Sequence, residues 1–173
     1  ATAAAIDFLR ERYPDIPLVG MEPAVKPACL HTRSGVVGVL ATERSLDGEL
    51  FRRTAARYGR GIEVVTAPGK GFVELVESDR EATPEAEECV HRAMAGMLER
   101  GADQIVLGCT HYPFLMPVFE RIVAGRDVTI IDPSPAVARR TAQLLDQYGL
   151  RAAPDHRPTY EFRTFADYIS ADV

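Results

Sequence analysis

The chain has 173 residues, 46% hydrophobic and 26% charged, with a formal net charge of −5, the profile of a globular protein long enough to bury a real core as one domain or a domain and a half. That acidic balance excludes the basic footprint of a nucleic-acid binder, and no apolar run approaches a membrane span. Cys29, Cys89 and Cys109 lie far apart with no CxxC pair, so neither a zinc site nor a disulfide framework is indicated, no metal is expected, and a reducing cytoplasm is the expected location. No signal peptide is visible.

Ala1 to Arg12 reads as a helix with Ile6 and Leu9 as its apolar pair. No capping residue precedes it, which points to truncation. Pro14-Asp15 break it, and Ile16 to Gly20 is expected as a short strand with Pro17 near its start. Pro23 is expected to open a helix reaching Leu30. Val36 to Leu40 reads as a strand, and Thr42 to Tyr58 is amphipathic, with Leu46, Leu50 and Phe51 at helical spacing. Ile62 to Thr66 is another strand, after which Gly69-Lys70-Gly71 turns into a short helix through Phe72, Leu75 and Val76. Thr83-Pro84-Glu85 supplies a cap, a first-position proline and first-turn acids for a helix that runs to Arg100 and ends at Gly101.

Gln104 to Leu107 then reads as a buried strand. Gly108 ends it, and Pro113 is placed to open the next helix, running to Val123. Val128 to Ile131 is a strand and Pro135 to Tyr148 a helix terminated at Gly149. The alternation Tyr160 to Phe165 is expected as an edge strand. Strands alternating with helices define an α/β protein with a largely parallel sheet.

A faint internal repeat runs through this pattern. Ile16 to Val25 is similar to Val128 to Val137, with Pro-Ala-Val at 23–25 and again at 135–137. In both copies a helix precedes a short strand, and Pro-Ala-Val opens the next helix. On this register the counterpart of Cys109 falls just before Ala1. A repeated unit with one reactive group per copy gives two groups facing each other across a pseudo-symmetric cleft.

Cys109 is placed at the carboxyl end of a parallel strand, where open α/β sheets bind ligands. The dipole of the helix beyond it would favour a thiolate. The plain alternative is a small apolar cysteine in a packed strand end. In an extended segment Cys109 and His111 face one side, while Thr110 and the N–H groups before Pro113 are placed to hold a carboxylate. A nucleophilic Cys-His dyad remains open at this point, as does a structural histidine. Cys29 and Cys89 read as structural, and Glu85, Glu87 and Glu88 as a solvated helix face. Gly69-Lys70-Gly71 lacks the spacing of a phosphate loop, and no GxGxxG, HExxH or GxSxG occurs.

Leu107-Gly-Cys-Thr-His-Tyr-Pro-Phe-Leu115 resembles the second active-site motif of the glutamate racemases, in the aspartate/glutamate racemase superfamily. Glu22 to Ala28, Gly38 to Thr42 and Ile131 to Ser134 also match, so the resemblance covers essentially the whole chain. Aspartate racemases of the superfamily tend to carry Glu where His111 stands, which favours glutamate. The resemblance implies two pseudo-symmetric α/β domains, no cofactor, and two cysteines that remove and return the α-proton on opposite faces. It makes Cys109 the base for L-glutamate and His111 its assistant and a substrate contact. Thr42 and Thr110 become substrate contacts, and Glu77 an assisting carboxylate whose plain alternative is a helix-end surface acid.

The family's Asp-Ser-Gly segment and Cys-Asn-Thr motif have no counterpart in this sequence, and Ala1 to Ala5 resembles the family's residues directly after Cys-Asn-Thr. The expected organisation is therefore 1–21 as a remnant of an incomplete first domain, 22–132 as a nearly complete second domain, and 133–173 as a return to the first. The expected function is L-glutamate to D-glutamate racemisation for peptidoglycan synthesis, with these 173 residues inactive by themselves and prone to aggregate along an uncovered apolar face. The rivals are a non-catalytic glutamate-binding remnant and a Cys-nucleophile hydrolase of similar fold. Glutamate is the expected small-molecule partner, neither nucleic acid nor membrane is expected, and a homodimer is compatible with the family.

Overall fold

The computed structural model describes residues 2–21 and 24–161. Its centre is a four-stranded, wholly parallel sheet in the order β2-β1-β3-β4, formed by Glu63–Pro68, Val36–Ala41, Gln104–Leu107 and Thr129–Ile131 respectively. The chain leaves β1 for β2 on one side and then crosses back to β3 on the other. The strand order therefore reverses between β1 and β3, and the crevice at their carboxyl ends is the switch point where such sheets take ligands.

Alternation along the strands sorts the core into two layers. Val37, Val39 and Val106 pack on one face against Val25, Ala28 and Cys29 of α2 (Val25–His31), with Tyr58 of α4 (Glu49–Tyr58) beside them. Leu40, Ile105 and Leu107 pack on the other against α5 (Phe72–Glu77), α6 (Pro84–Glu99) and α7 (Met116–Val123). Each such fully buried side chain contributes about 1.5–3 kcal/mol relative to exposure. Gly38 lies on the second face, where a Cβ would come 2.6 Å from the Met97 sulfur, so its lack of a side chain lets α6 lie close on β1.

Several elements form as their caps dictate. Thr83 accepts the Ala86 N–H at the start of α6, with Pro84 in its first turn, and Gly101 leaves that helix at φ +81°, the left-handed conformation that costs glycine little. Others depart from the sequence pattern. The 42–58 stretch is two helices, α3 (Glu43–Leu46) and α4, because Gly48 adopts an extended conformation as the cap of the second; the side chains of Leu50 and Phe51 lie outside the described residues. Ile16 to Gly20 forms no strand. A strand needs a ladder partner, and the sheet ends at β4 and β2 without reaching this segment.

The helix expected to open at Pro113 also differs. Tyr112–Leu115 is a 3₁₀ turn, and α7 starts only at Met116. Pro117 has no N–H to donate to Pro113, so an α-helix begun at 113 would lose that hydrogen bond in its first turn, and the chain tightens instead, with the Met116 N–H on the Pro113 carbonyl. Helices α1 (Thr2–Arg12) and α8 (Ser134–Gln147) flank the sheet domain in sequence. Residues 151–161 carry no strand, while Glu22, Pro23 and Phe162 to Val173 lie outside the described residues, including most of the expected edge strand and the proline expected to open α2. Phe8, Ile16 and Leu30 are each more than half exposed.

Candidate active site

β3 ends at Leu107, and Gly108 extends its ladder by one bond, donating to the Leu40 carbonyl at 2.7 Å. Cys109 follows directly, half-buried at the switch point and packed against the core. The segment then turns rather than extends: the Tyr112 N–H donates to the Cys109 carbonyl at 3.2 Å, and His111 takes a helical conformation. Cys109 and His111 are nonetheless brought together, with Sγ 3.9 Å from His111 Nδ1. A turn does here what strand alternation was expected to do.

The other imidazole nitrogen lies 2.6 Å from Glu77 Oε1, at the last residue of α5. A carboxylate only accepts, so Nε2 carries the proton and Nδ1 presents its lone pair to the Cys109 thiol and to Thr110 Oγ1, 3.4 Å away. Glu77 is an exposed helix-end acid, and it is also this histidine's hydrogen-bond partner. The α7 dipole is a full 3₁₀ turn removed from the thiol, so the expected helix effect on Cys109 has no helix end beside it. The N–H groups of Cys109, Thr110 and His111 have no hydrogen-bond partner among the described residues. Three successive backbone donors are thus left open directly after the strand.

Thr42 follows β1 at the same end of the sheet. Its hydroxyl is engaged locally, accepting the Ser45 N–H at 3.3 Å and sharing a 2.8 Å hydrogen bond with the Ser45 hydroxyl. The Lys70 ammonium reaches Glu43 at 3.2 Å, linking the loop after β2 to α3. The other cysteines stand apart. Cys29 lies in the opposite layer, where burial pushes its thiol pKa up, and Cys89 sits on α6, its sulfur 3.8 Å from where a Gly71 Cβ would lie. Among the described residues no group of three or more His, Cys, Asp or Glu is placed to hold a metal ion, and no helix is long and apolar enough to cross a membrane.

Two residues of this region have roles that the sequence reading does not assign: Tyr112, buried behind the cysteine turn, and Gly69, over which its ring lies. Ser45, the partner of Thr42, is in sequence only one more polar residue of a helical stretch.

A parallel α/β sheet with a cysteine-histidine turn at its switch point fits the family comparison, in which the Asp/Glu/hydantoin racemase model matches residues 1–141. The chain belongs to that family. Within it, the chain is 46% identical over 173 residues to a glutamate racemase of Pseudomonas syringae pv. tomato, covering all of this chain and 60% of that protein. It is 47% identical over 150 residues to a glutamate racemase of a Roseiflexus species, covering 87% of this chain and 55% of the relative. Escherichia coli glutamate racemase, solved with L-glutamate and the activator UDP-MurNAc-ala, superposes with a TM-score of 0.67 at 28% identity, covering 88% of this chain and 65% of that one. The Francisella tularensis enzyme, solved with D-glutamate, gives a TM-score of 0.72 at 25% identity, covering 88% and 56%. The chain thus spans 60% or less of the length of these two sequence relatives.

Proposed function

We propose that this chain is the larger part of a cofactor-independent glutamate racemase that interconverts L- and D-glutamate and supplies D-glutamate for peptidoglycan in the cytoplasm. The observation that carries the reading is the continuous relay Glu77–His111–Cys109 at the switch point, 2.6 Å and 3.9 Å long in its two links. All four strands of the described sheet fall between 36 and 131, which supports reading 22–132 as one lobe and the flanking segments, 1–21 and 133–173, as part of a second.

In this mechanism Glu77 holds the His111 tautomer, and the Nδ1 lone pair takes the thiol proton of Cys109. The thiolate then removes the α-proton of L-glutamate, and the electron pair of the broken C–H bond passes into the substrate carboxylate. The open N–H groups of Cys109, Thr110 and His111 bind that carboxylate and stabilise its growing charge. Thr42 adds a hydroxyl from the turn after the neighbouring strand. A second cysteine, contributed by a Cys-Asn-Thr motif, returns a proton to the opposite face. Neither Cys29 nor Cys89 is placed to do so, and these 173 residues by themselves do not racemise.

The test is glutamate incubated with the 173-residue chain in D₂O. A one-sided base exchanges the α-proton for deuterium and returns it to the same face, giving L-[2-²H]glutamate. Racemisation by the chain alone overturns its inactivity, and binding without exchange overturns Cys109 as a base. Supplying an upstream segment with the Cys-Asn-Thr motif restores racemisation.

A further inference from the structure

We propose that Tyr112 is a positioning residue of this site: its buried ring, wedged over Gly69 and against Phe72, sets the reach between the helix that carries Glu77 and the turn that carries Cys109 and His111. The proposal rests on the racemase reading of that site and extends it to a residue that touches no substrate.

Tyr112 is fully buried, and its backbone closes the cysteine turn through the bond to Cys109. Its ring meets Phe72, the first residue of α5, edge-on at 5.0 Å, and Phe72 in turn meets Phe119 of α7 at 6.0 Å. Its hydroxyl points to the Gly69 carbonyl at 3.4 Å. Burial pushes the phenol pKa up, and negative charge on Cys109 raises it further, so the hydroxyl keeps its proton and remains a donor. Gly69 is itself tied to the sheet, donating to the Ala41 carbonyl at 3.2 Å.

The fit over Gly69 leaves no slack. A Cβ there would lie 2.5 Å from the Tyr112 hydroxyl oxygen, 2.6 Å from its Cζ and 2.7 Å from the Phe72 ring. Only glycine lets the ring down far enough to touch the loop that leads into α5. That helix is six residues long and ends at Glu77, so any displacement of its first residue carries the carboxylate with it. On the other side, His111 is the immediate neighbour of Tyr112. One ring therefore gauges both ends of a 2.6 Å hydrogen bond, an interaction that shifts of a few tenths of an ångström weaken.

The test reads the His111 Nε2 proton by NMR in the 173-residue chain labelled with ¹⁵N-histidine, assigning it by its loss in Glu77→Ala, which removes the acceptor. Tyr112→Phe keeps the ring and removes only the hydroxyl; Gly69→Ala intrudes on the ring. Both are expected to shift or broaden that signal. Val37→Ala, a cavity in the core layer on the opposite face of the sheet, is expected to lower stability and leave the signal in place. In parallel, α-deuterium exchange in glutamate should slow about fivefold in Tyr112→Phe and not at all when the same change is made in a Glu77→Gln background, the signature of residues acting as one unit. An unmoved His111 signal in Tyr112→Phe, or equal slowing in both backgrounds, overturns the proposal. If the unmodified chain exchanges no deuterium, the racemase reading fails while the NMR comparison still decides whether Tyr112 positions the relay.

Discussion

At the amino end of the sheet the Asp103 carboxylate accepts the Thr32 hydroxyl at 2.6 Å and the N–H groups of Arg33 and Ser34 at 2.6 and 3.0 Å. At the carboxyl end, the N–H groups of Cys109, Thr110 and His111 have no such partner among the described residues. The two ends use the same chemistry, backbone donors around a carboxylate, in opposite states of completion. Where the chain supplies its own carboxylate, the loop before β1 is pinned to the start of β3. Where it leaves the donors open, the proposed substrate carboxylate would complete them. Substitutions at the first end should therefore register as stability and those at the second as chemistry.

The largest expected effect is at the open end. Cys109→Ser removes the proposed base, and α-deuterium exchange should fall by about a thousandfold, within the range general bases contribute. The urea midpoint should hardly move, because a hydroxyl of similar size replaces a half-buried thiol. A large loss of stability instead would mean that Cys109 is mainly a packing residue and would blur the contrast between the ends.

Asp103→Asn should give the mirror image. Its amide can keep Oδ1 on the Arg33 and Ser34 N–H pair only by turning N–H₂ toward Thr32, whose hydroxyl must then accept instead of donate, and no charge remains to strengthen these bonds. The expected loss is about 2–3 kcal/mol by urea titration, with deuterium exchange per folded molecule intact. This residue also sets an acid limit. Burial raises the Asp103 pKa, and its hydrogen bonds from Thr32, Arg33 and Ser34 outweigh that and hold it below the usual carboxylate value. Its stabilisation is therefore complete above the unfolded-state pKa and is lost as pH falls through the lower, folded-state value. Below about pH 4 the urea midpoint of the unmodified chain should drop more steeply than that of Asp103→Asn.

Glu77→Gln comes third. The amide can still accept from Nε2 but no longer favours the imidazolium that forms when Cys109 gives up its proton. Exchange should slow about tenfold, equivalent to about 1.4 kcal/mol of barrier, with the urea midpoint unchanged because the group is largely exposed.

The two ends are unequally legible in the sequence. The strand-glycine-cysteine order of 104–109 places the thiol at the sheet's carboxyl end without any structure, because a buried apolar run and a terminating glycine leave little choice. The shape of the turn beyond it is harder to see, although Pro117 is there to deny an α-helix its bond to the Pro113 carbonyl. Asp103 carries no signal, since its partners at 32–34 lie some seventy residues away and only the parallel pairing of β1 with β3 brings them close. Glu77 depends likewise on α5 being folded back by the Phe72–Tyr112 contact. The family resemblance picks it out where spacing cannot. Ile16 to Gly20 fails in the other direction: its local pattern is strand-like, but a strand is a property of a pair.

Thr42 tests the comparison most finely, because it belongs to both kinds of end. Its oxygen caps α3 by accepting the Ser45 N–H, and a cap lost to alanine costs about 1 kcal/mol. The shared hydrogen bond with the Ser45 hydroxyl can run either way. If Ser45 donates, the Thr42 proton is left for a ligand carboxylate; if Thr42 donates, its hydroxyl is fully occupied by the protein. We expect the first arrangement. Thr42→Ala should then weaken glutamate binding, measured by calorimetry, as well as lowering the urea midpoint, and Thr42→Ser should restore both. Ser45→Ala should lower the midpoint slightly and leave glutamate binding intact. Equal glutamate affinity in Thr42→Ala would instead assign this hydroxyl wholly to the cap and confine the open end to the cysteine turn.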